Sequence, residues 1–131
     1  MAEWIYVQRS GNLYLDGPGY HTLIGTGYSG AANKKNDPDA QCYKDLGPIP
    51  RGLWRIGPLQ NNTTGTGQVL PSSMRLEPEK GTDVCSRSGF LIHGGAPAGD
   101  VSNGCIVLAP ELRQRIGTSG TTVLRVVRED A

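Results

Sequence analysis

The stretch FLIHGGAPAGDVSNGCIVLA, Phe90 to Ala109, holds one of two histidines and one of three cysteines in the chain. His93 and Cys105 are twelve positions apart, separated by glycines, a proline, Asp100 and the turn Ser102-Asn103-Gly104. A thiol beside an imidazole can do nucleophilic chemistry: the imidazole takes the proton and the sulfur attacks a carbonyl carbon. Backbone N–H groups in a tight turn can converge on the oxyanion that develops. Each residue alone has a plainer reading. A cysteine beside Ile-Val-Leu packs as a small hydrophobe, and a histidine closing an apolar strand is usually a satisfied structural residue. Their pairing on two strand-like segments, FLI and IVL, favours a cysteine–histidine site.

Two other constellations invite chemistry and fail on context. GTGYSG, Gly25 to Gly30, matches the dinucleotide pattern G-x-G-x-x-G, which requires a helix to follow. The sequence continues AANKKNDPDA, so the better reading is a turn whose glycines permit positive φ. Cys42, Cys85, Cys105, His21 and His93 contain no C-x-x-C or H-x-x-H pair, so no metal site is expected.

The elements that must position His93 and Cys105 are short. A chain of 131 residues suits a single domain, residues 1–131, and its 19 glycines and 9 prolines point to strands joined by tight turns. Trp4–Gln8 and Asn12–Leu15 read as a hairpin around RSGN. Further strands are expected at His21–Ile24, Leu53–Ile56, Ser73–Leu76, Phe90–His93, Ile106–Leu108 and Thr122–Val127. One short helix should start at Pro110 and stop at Gly117, and Gly57 to Pro71 should be an exposed loop. The expected fold is a mainly β sandwich or curled sheet with one short helix.

Charge and hydropathy narrow the partners. Thirteen basic residues balance twelve acidic ones with no basic stripe, so nucleic acid is not expected. No apolar stretch approaches the roughly 18 residues of a membrane span. The start, MAEWIYVQRSG, lacks the basic and apolar regions of a signal peptide.

HGGAPAGDVSNGCIVL resembles the H-G-…-S-x-G-C signature of the YkuD-type L,D-transpeptidases, enzymes that remodel bacterial peptidoglycan. GTGYSG, GPIPRGLWRIG and RSGFLIHG resemble one branch of them, the L,D-transpeptidase effectors delivered by type VI secretion systems. The similarity runs from Trp4 to near the C-terminus.

The resemblance implies roles. Cys105 matches the nucleophile and His93 the general base, oriented by a backbone carbonyl rather than a carboxylate. Asp100, in the loop, invites a triad reading, but a turn or loop-rim role is the preferred one, since loop aspartates commonly form turns. Ser102, Asn103 and Gly104 match the turn that shapes the oxyanion site. Tyr28, Ser29 and Gly94 should line the substrate cleft, and Gly47-Pro48-Ile49-Pro50 should be a rigid strand entry. Many cell-wall members carry an arginine two positions after the cysteine, where this chain has Val107. Arg87 is the nearest candidate to take over anion recognition, with a salt-bridge or surface role as its alternative.

The reaction implied is acyl transfer on peptidoglycan stem peptides, with no cofactor. The enzyme would be secreted without a signal peptide, through a type VI apparatus, into the periplasm of a target bacterium. An immunity protein would be its partner. NlpC/P60-like and CHAP-like hydrolases place cysteine before histidine, the reverse of this order; a non-catalytic cell-wall-binding β module remains the alternative. If Cys105 stays free for catalysis, Cys42 and Cys85 are left to pair, each in a polar loop-like stretch, with two unpaired thiols as the other possibility.

Overall fold

Strand β1 (Glu3–Val7) shows the pattern that builds the molecule. Trp4 and Tyr6 are fully buried while Ile5 between them is only partly so, the two-residue alternation of a strand with one face on the core. The computed structural model describes residues 2–64, 67–94 and 104–130. A turn containing Gly11 (φ +76°) returns the chain antiparallel as β2 (Asn12–Gly17), and β3 (Tyr20–Thr26) pairs with it at the sheet edge. The two-residue β4 (Tyr28–Ser29) follows, then two 3-10 turns at Ala32–Lys34 and Pro38–Ala40. The remaining elements are β5 (Gly52–Ile56), β6 (Gln60–Thr63), β7 (Val69–Pro78), β8 (Leu91–His93), β9 (Ile106–Val107), α1 (Pro110–Ser119) and β10 (Val123–Val127).

These strands form one open sheet in the order β3-β2-β1-β10-β5-β7-β8-β9-β4, with β6 paired to β7 off that path. The pairs β1/β10 and β8/β9 are parallel and the others antiparallel. Register puts Trp4 beside Leu124 and Leu124 beside Trp54, a row of three side chains with no exposed surface. Burying a large apolar side chain of this kind contributes about 1.5–3 kcal/mol. Trp54 meets Phe90 edge to face at 5.1 Å, so the core reaches the residue that precedes β8.

The curled, mainly β sheet with one short helix agrees with the sequence reading, and three local expectations do not. Gly57 to Pro71 is not one loop: it holds β6 and the start of β7, because Asn62 is buried and bonds Ser73 through both its carbonyl and hydroxyl. The helix runs past Gly117 to Ser119 and ends at Gly120, which takes the left-handed conformation (φ +77°). Gly117 lacks a side chain for packing, since a Cβ there would lie 2.8 Å from that of Leu59. In GTGYSG only Gly30 has positive φ; Gly25 and Thr26 end β3, Tyr28 and Ser29 form β4, and Gly27 links the two. A Cβ on Gly27 would strike the Val107 carbonyl, so close approach to β9 selects that glycine.

Candidate active site

Parallel pairing of β8 with β9 brings the candidate residues together. Ile92 lies beside Ile106 and His93 beside Val107. Side chains alternate along a strand, so Ile92 and Ile106 enter the core while His93 and Val107 share the other face. Cys105 immediately precedes β9 and falls alongside Leu91. The Leu91 N–H donates to Cys105 Sγ at 3.3 Å, and the thiol itself points to the Gly89 carbonyl at 3.7 Å. The thiol, just before β9, and the imidazole, at the end of β8, therefore stand one diagonal step apart. No hydrogen bond joins them among the described residues; catalytic contacts of this kind often tighten only with substrate bound.

The two side chains are buried to a similar degree, each 7 % exposed. Burial pushes the Cys105 thiol up from 9.0 to about 11, against smaller opposite effects of the Leu91 N–H and the Arg87 charge. The resting sulfur is thus a neutral thiol rather than the thiolate that a neighbouring imidazole suggested. His93 Nδ1 lies 2.5 Å from the Gly94 carbonyl. A carbonyl can only accept, so Nδ1 carries the hydrogen and Nε2 is left with the lone pair.

Arg87 lies beneath the turn before Cys105. It is 8 % exposed and donates to the carbonyls of Gln41, Gly47 (2.9 Å) and Pro48 (2.9 Å). Its guanidinium lies 5.2 Å from the Phe90 ring centroid and touches the space where a Gly104 side chain would be. That is neither a surface position nor an open anion site: the planar fork clamps the 41–48 segment under Gly104. Cys42 and Cys85 are joined by a disulfide, Cα to Cα 5.2 Å, which ties the same two segments together. Cys85 and Ser86 both have left-handed φ (+56° and +59°), a costly state for residues with side chains that these neighbouring ties hold in place.

Ser29 is fully buried, and so does not line a cleft. Its hydroxyl donates to Gly104 O at 3.1 Å and accepts from Ile49 N at 2.8 Å, fixing β4 to the turn and to the Gly47–Pro50 segment. Tyr28 pairs with Val107 and so shares the face of His93 and Cys105, with Lys35 Nζ 4.1 Å from its ring centroid. His21 is spent elsewhere, 2.8 Å from Asp16 and stacked on Tyr14. Asp100, Ser102 and Asn103 lie outside the described residues.

The sequence reading passed over Arg113, in α1. It is 8 % exposed, and its Nε donates to Leu108 O at 3.1 Å. Its Nη1 donates to Pro71 O at 3.0 Å and Ser72 O at 2.9 Å. Its Nη2 packs on Gly94, where a Cβ would come within 2.7 Å of it. Only the glycine after His93 hinted at such an approach. Among the described residues no helix is long and apolar enough to cross a membrane.

The single open, mainly β sheet with one helix is similar to the fold of the YkuD-type L,D-transpeptidases. The crystal structure of an L,D-transpeptidase (Yku) from Stackebrandtia nassauensis matches 99 % of this chain and 58 % of its own, at a TM-score of 0.61 and 14 % identity. The structure of Bdellovibrio bacteriovorus Bd1075 matches 95 % of this chain and 46 % of its own, at a TM-score of 0.54 and 10 % identity. The chain thus spans less than two thirds of either protein, and the likeness is one of fold. The Tlde1 domain model matches residues 24–126, and the chain belongs to that family of type VI secretion L,D-transpeptidase effectors. No curated protein matches it.

Proposed function

We propose that the chain is a peptidoglycan-modifying cysteine enzyme, an L,D-transpeptidase or L,D-carboxypeptidase acting on tetrapeptide stems. The observation that carries this reading is the β8/β9 register. It sets Cys105 and His93 on one face, with His93 Nδ1 bonded to Gly94 O, which leaves Nε2 as the accepting nitrogen. His93 Nε2 takes the Cys105 proton as the sulfur attacks the carbonyl of the third stem residue. The carbonyl becomes an oxyanion, which backbone N–H groups beside Cys105 would receive. The C–N bond then breaks, the departing D-alanine amine takes the proton from His93, and a thioester remains on Cys105. Water, a D-amino acid or a second stem peptide resolves the thioester, giving hydrolysis, exchange or a crosslink respectively.

A thiol near 11 is compatible with this scheme, because the proton moves to His93 as the carbon–sulfur bond forms. The same buried thiol, with no hydrogen bond to His93 among the described residues, favours a second reading: a non-catalytic wall-binding β module. Digestion of purified tetrapeptide muropeptides separates the two, since a binding module leaves the stems intact.

Family membership supports delivery by a type VI apparatus into the periplasm of a target cell, where an immunity protein would block the cleft. Directed to the periplasm, the protein should therefore be toxic, and in the cytoplasm mild. Equal toxicity in both compartments would refute this delivery.

A further inference from the structure

His93 is the last residue of β8, so the carbonyl that holds its ring belongs to Gly94, one residue past the strand. A closed circuit of contacts fixes that residue. The guanidinium of Arg113 packs on Gly94, where a Cβ would lie 2.7 Å from Nη2 and 3.1 Å from Cζ. Arg113 Nε donates to Leu108 O, and Leu108 N donates to His93 O at 3.0 Å. From His93 the path runs to Gly94, across to Arg113, along to Leu108 and back to His93. Bonds to Pro71 O and Ser72 O anchor the guanidinium from outside the circuit. Among the described residues Arg113 has no carboxylate within ion-pair distance. Burying an unpaired charge is a poor way to gain stability. A rigid fork of donors, however, is well suited to fixing three backbone segments at once.

We propose that Arg113 is a positioning residue for the reaction: through Gly94 and Leu108 it sets the ring orientation and tautomer of His93. The proposal rests on the reading of His93 as general base. With Gly94 O held in place, Nδ1 keeps its hydrogen and Nε2 keeps the lone pair that can accept a proton. With Gly94 released, the ring can rotate or carry its hydrogen on Nε2, where it cannot accept the Cys105 proton. Partners that orient metal-bound histidines typically change affinity or activity by about 10- to 100-fold, and the same scale is expected for a histidine oriented as a base. Glycine at 94 has a reason here that needs no unusual backbone, since any side chain would displace the guanidinium.

The test uses the full chain with 15N-labelled histidine, and His21→Gln assigns the two rings. Long-range 15N–1H spectra read the His93 tautomer in the resting protein, with no substrate needed. Wild type should show hydrogen on Nδ1. Arg113→Lys, which keeps the charge but not the fork, should give mixed tautomers and a kcat for D-alanine release about 10- to 100-fold lower, with KM within about twofold. Gly94→Ala should do the same from the other side of the contact, and it decides the matter if Arg113 variants fail to fold. Folded variants with a wild-type tautomer and kcat would overturn the proposal. If His93→Ala stays active, the base assignment falls, whereas a tautomer shift in Arg113→Lys would still support the positioning role.

Discussion

Replacing Cys42 and Cys85 by serine removes a crosslink whose ends are 43 residues apart in sequence. In the chain-entropy model, freeing a loop of that length lowers stability by about 4 kcal/mol at 25 °C, as an upper value. For a chain of 131 residues the unfolding entropy is about 275 cal/mol/K, so the midpoint should fall by up to about 14 °C. Local geometry adds to the chain entropy. The bridge sits next to Gln41, an acceptor for Arg87, and next to the left-handed pair Cys85 and Ser86. The comparison is best made in a Cys105→Ala background, so that no free thiol reshuffles the bridge. Calorimetry with and without reductant reads the shift, and alkylation of the non-reduced, denatured protein reads the pairing. In wild type one cysteine, Cys105, should be labelled. A midpoint that moves by less than about 2 °C on reduction, or three labelled cysteines after oxidative folding, would refute the reasoning.

Three further outcomes follow from the geometry around Cys105. Its alkylation rate should climb about tenfold per pH unit between pH 7 and 9 without levelling, because burial holds the thiol near 11; a plateau near neutrality would contradict this. The folded thiol ionises later than the unfolded one, so its stabilising effect is complete below pH 9 and is lost as pH rises toward 11. The loss is about 3 kcal/mol, and it should be absent in Cys105→Ala denaturant titrations. Gly104→Ala should cost at least about 1 kcal/mol and most activity, since φ is +97° and the new Cβ would strike Arg87 and lie 2.7 Å from Phe90 Cε1; a fully active, stable variant would refute the tight turn.

Legibility in the sequence followed the physics of each signal. Alternation in WIYV marked β1, because a half-buried sheet imposes period two, and the continuous apolar runs FLI and IVL marked β8 and β9, which are buried on both faces. Where side-chain type is ambiguous, the reading failed. NNTTGTG is polar enough for a loop, yet Asn62 turns inward to satisfy Ser73, which local composition does not reveal. Ser29 and Arg87 carry the right groups for a cleft, and both are spent on backbone atoms far away in sequence. Glycines misled in the same manner. Gly27 and Gly117 serve close approach rather than positive φ, and such contacts exist only after folding. Arg113 left no mark, since two of the three carbonyls that define its place, those of Pro71 and Ser72, lie far away in sequence.

The central claim is that Cys105 and His93 form one acyl-transfer site. Purified tetrapeptide muropeptides, incubated with wild type, Cys105→Ala and His93→Ala and analysed by mass spectrometry, test it most directly. Wild type should release terminal D-alanine or exchange it for an added D-amino acid. Brief acid quenching should trap a stem-peptide adduct on the Cys105 peptide. Both variants should keep their fold and lose the reaction. Intact stems with wild type, or normal turnover by Cys105→Ala, would contradict the account.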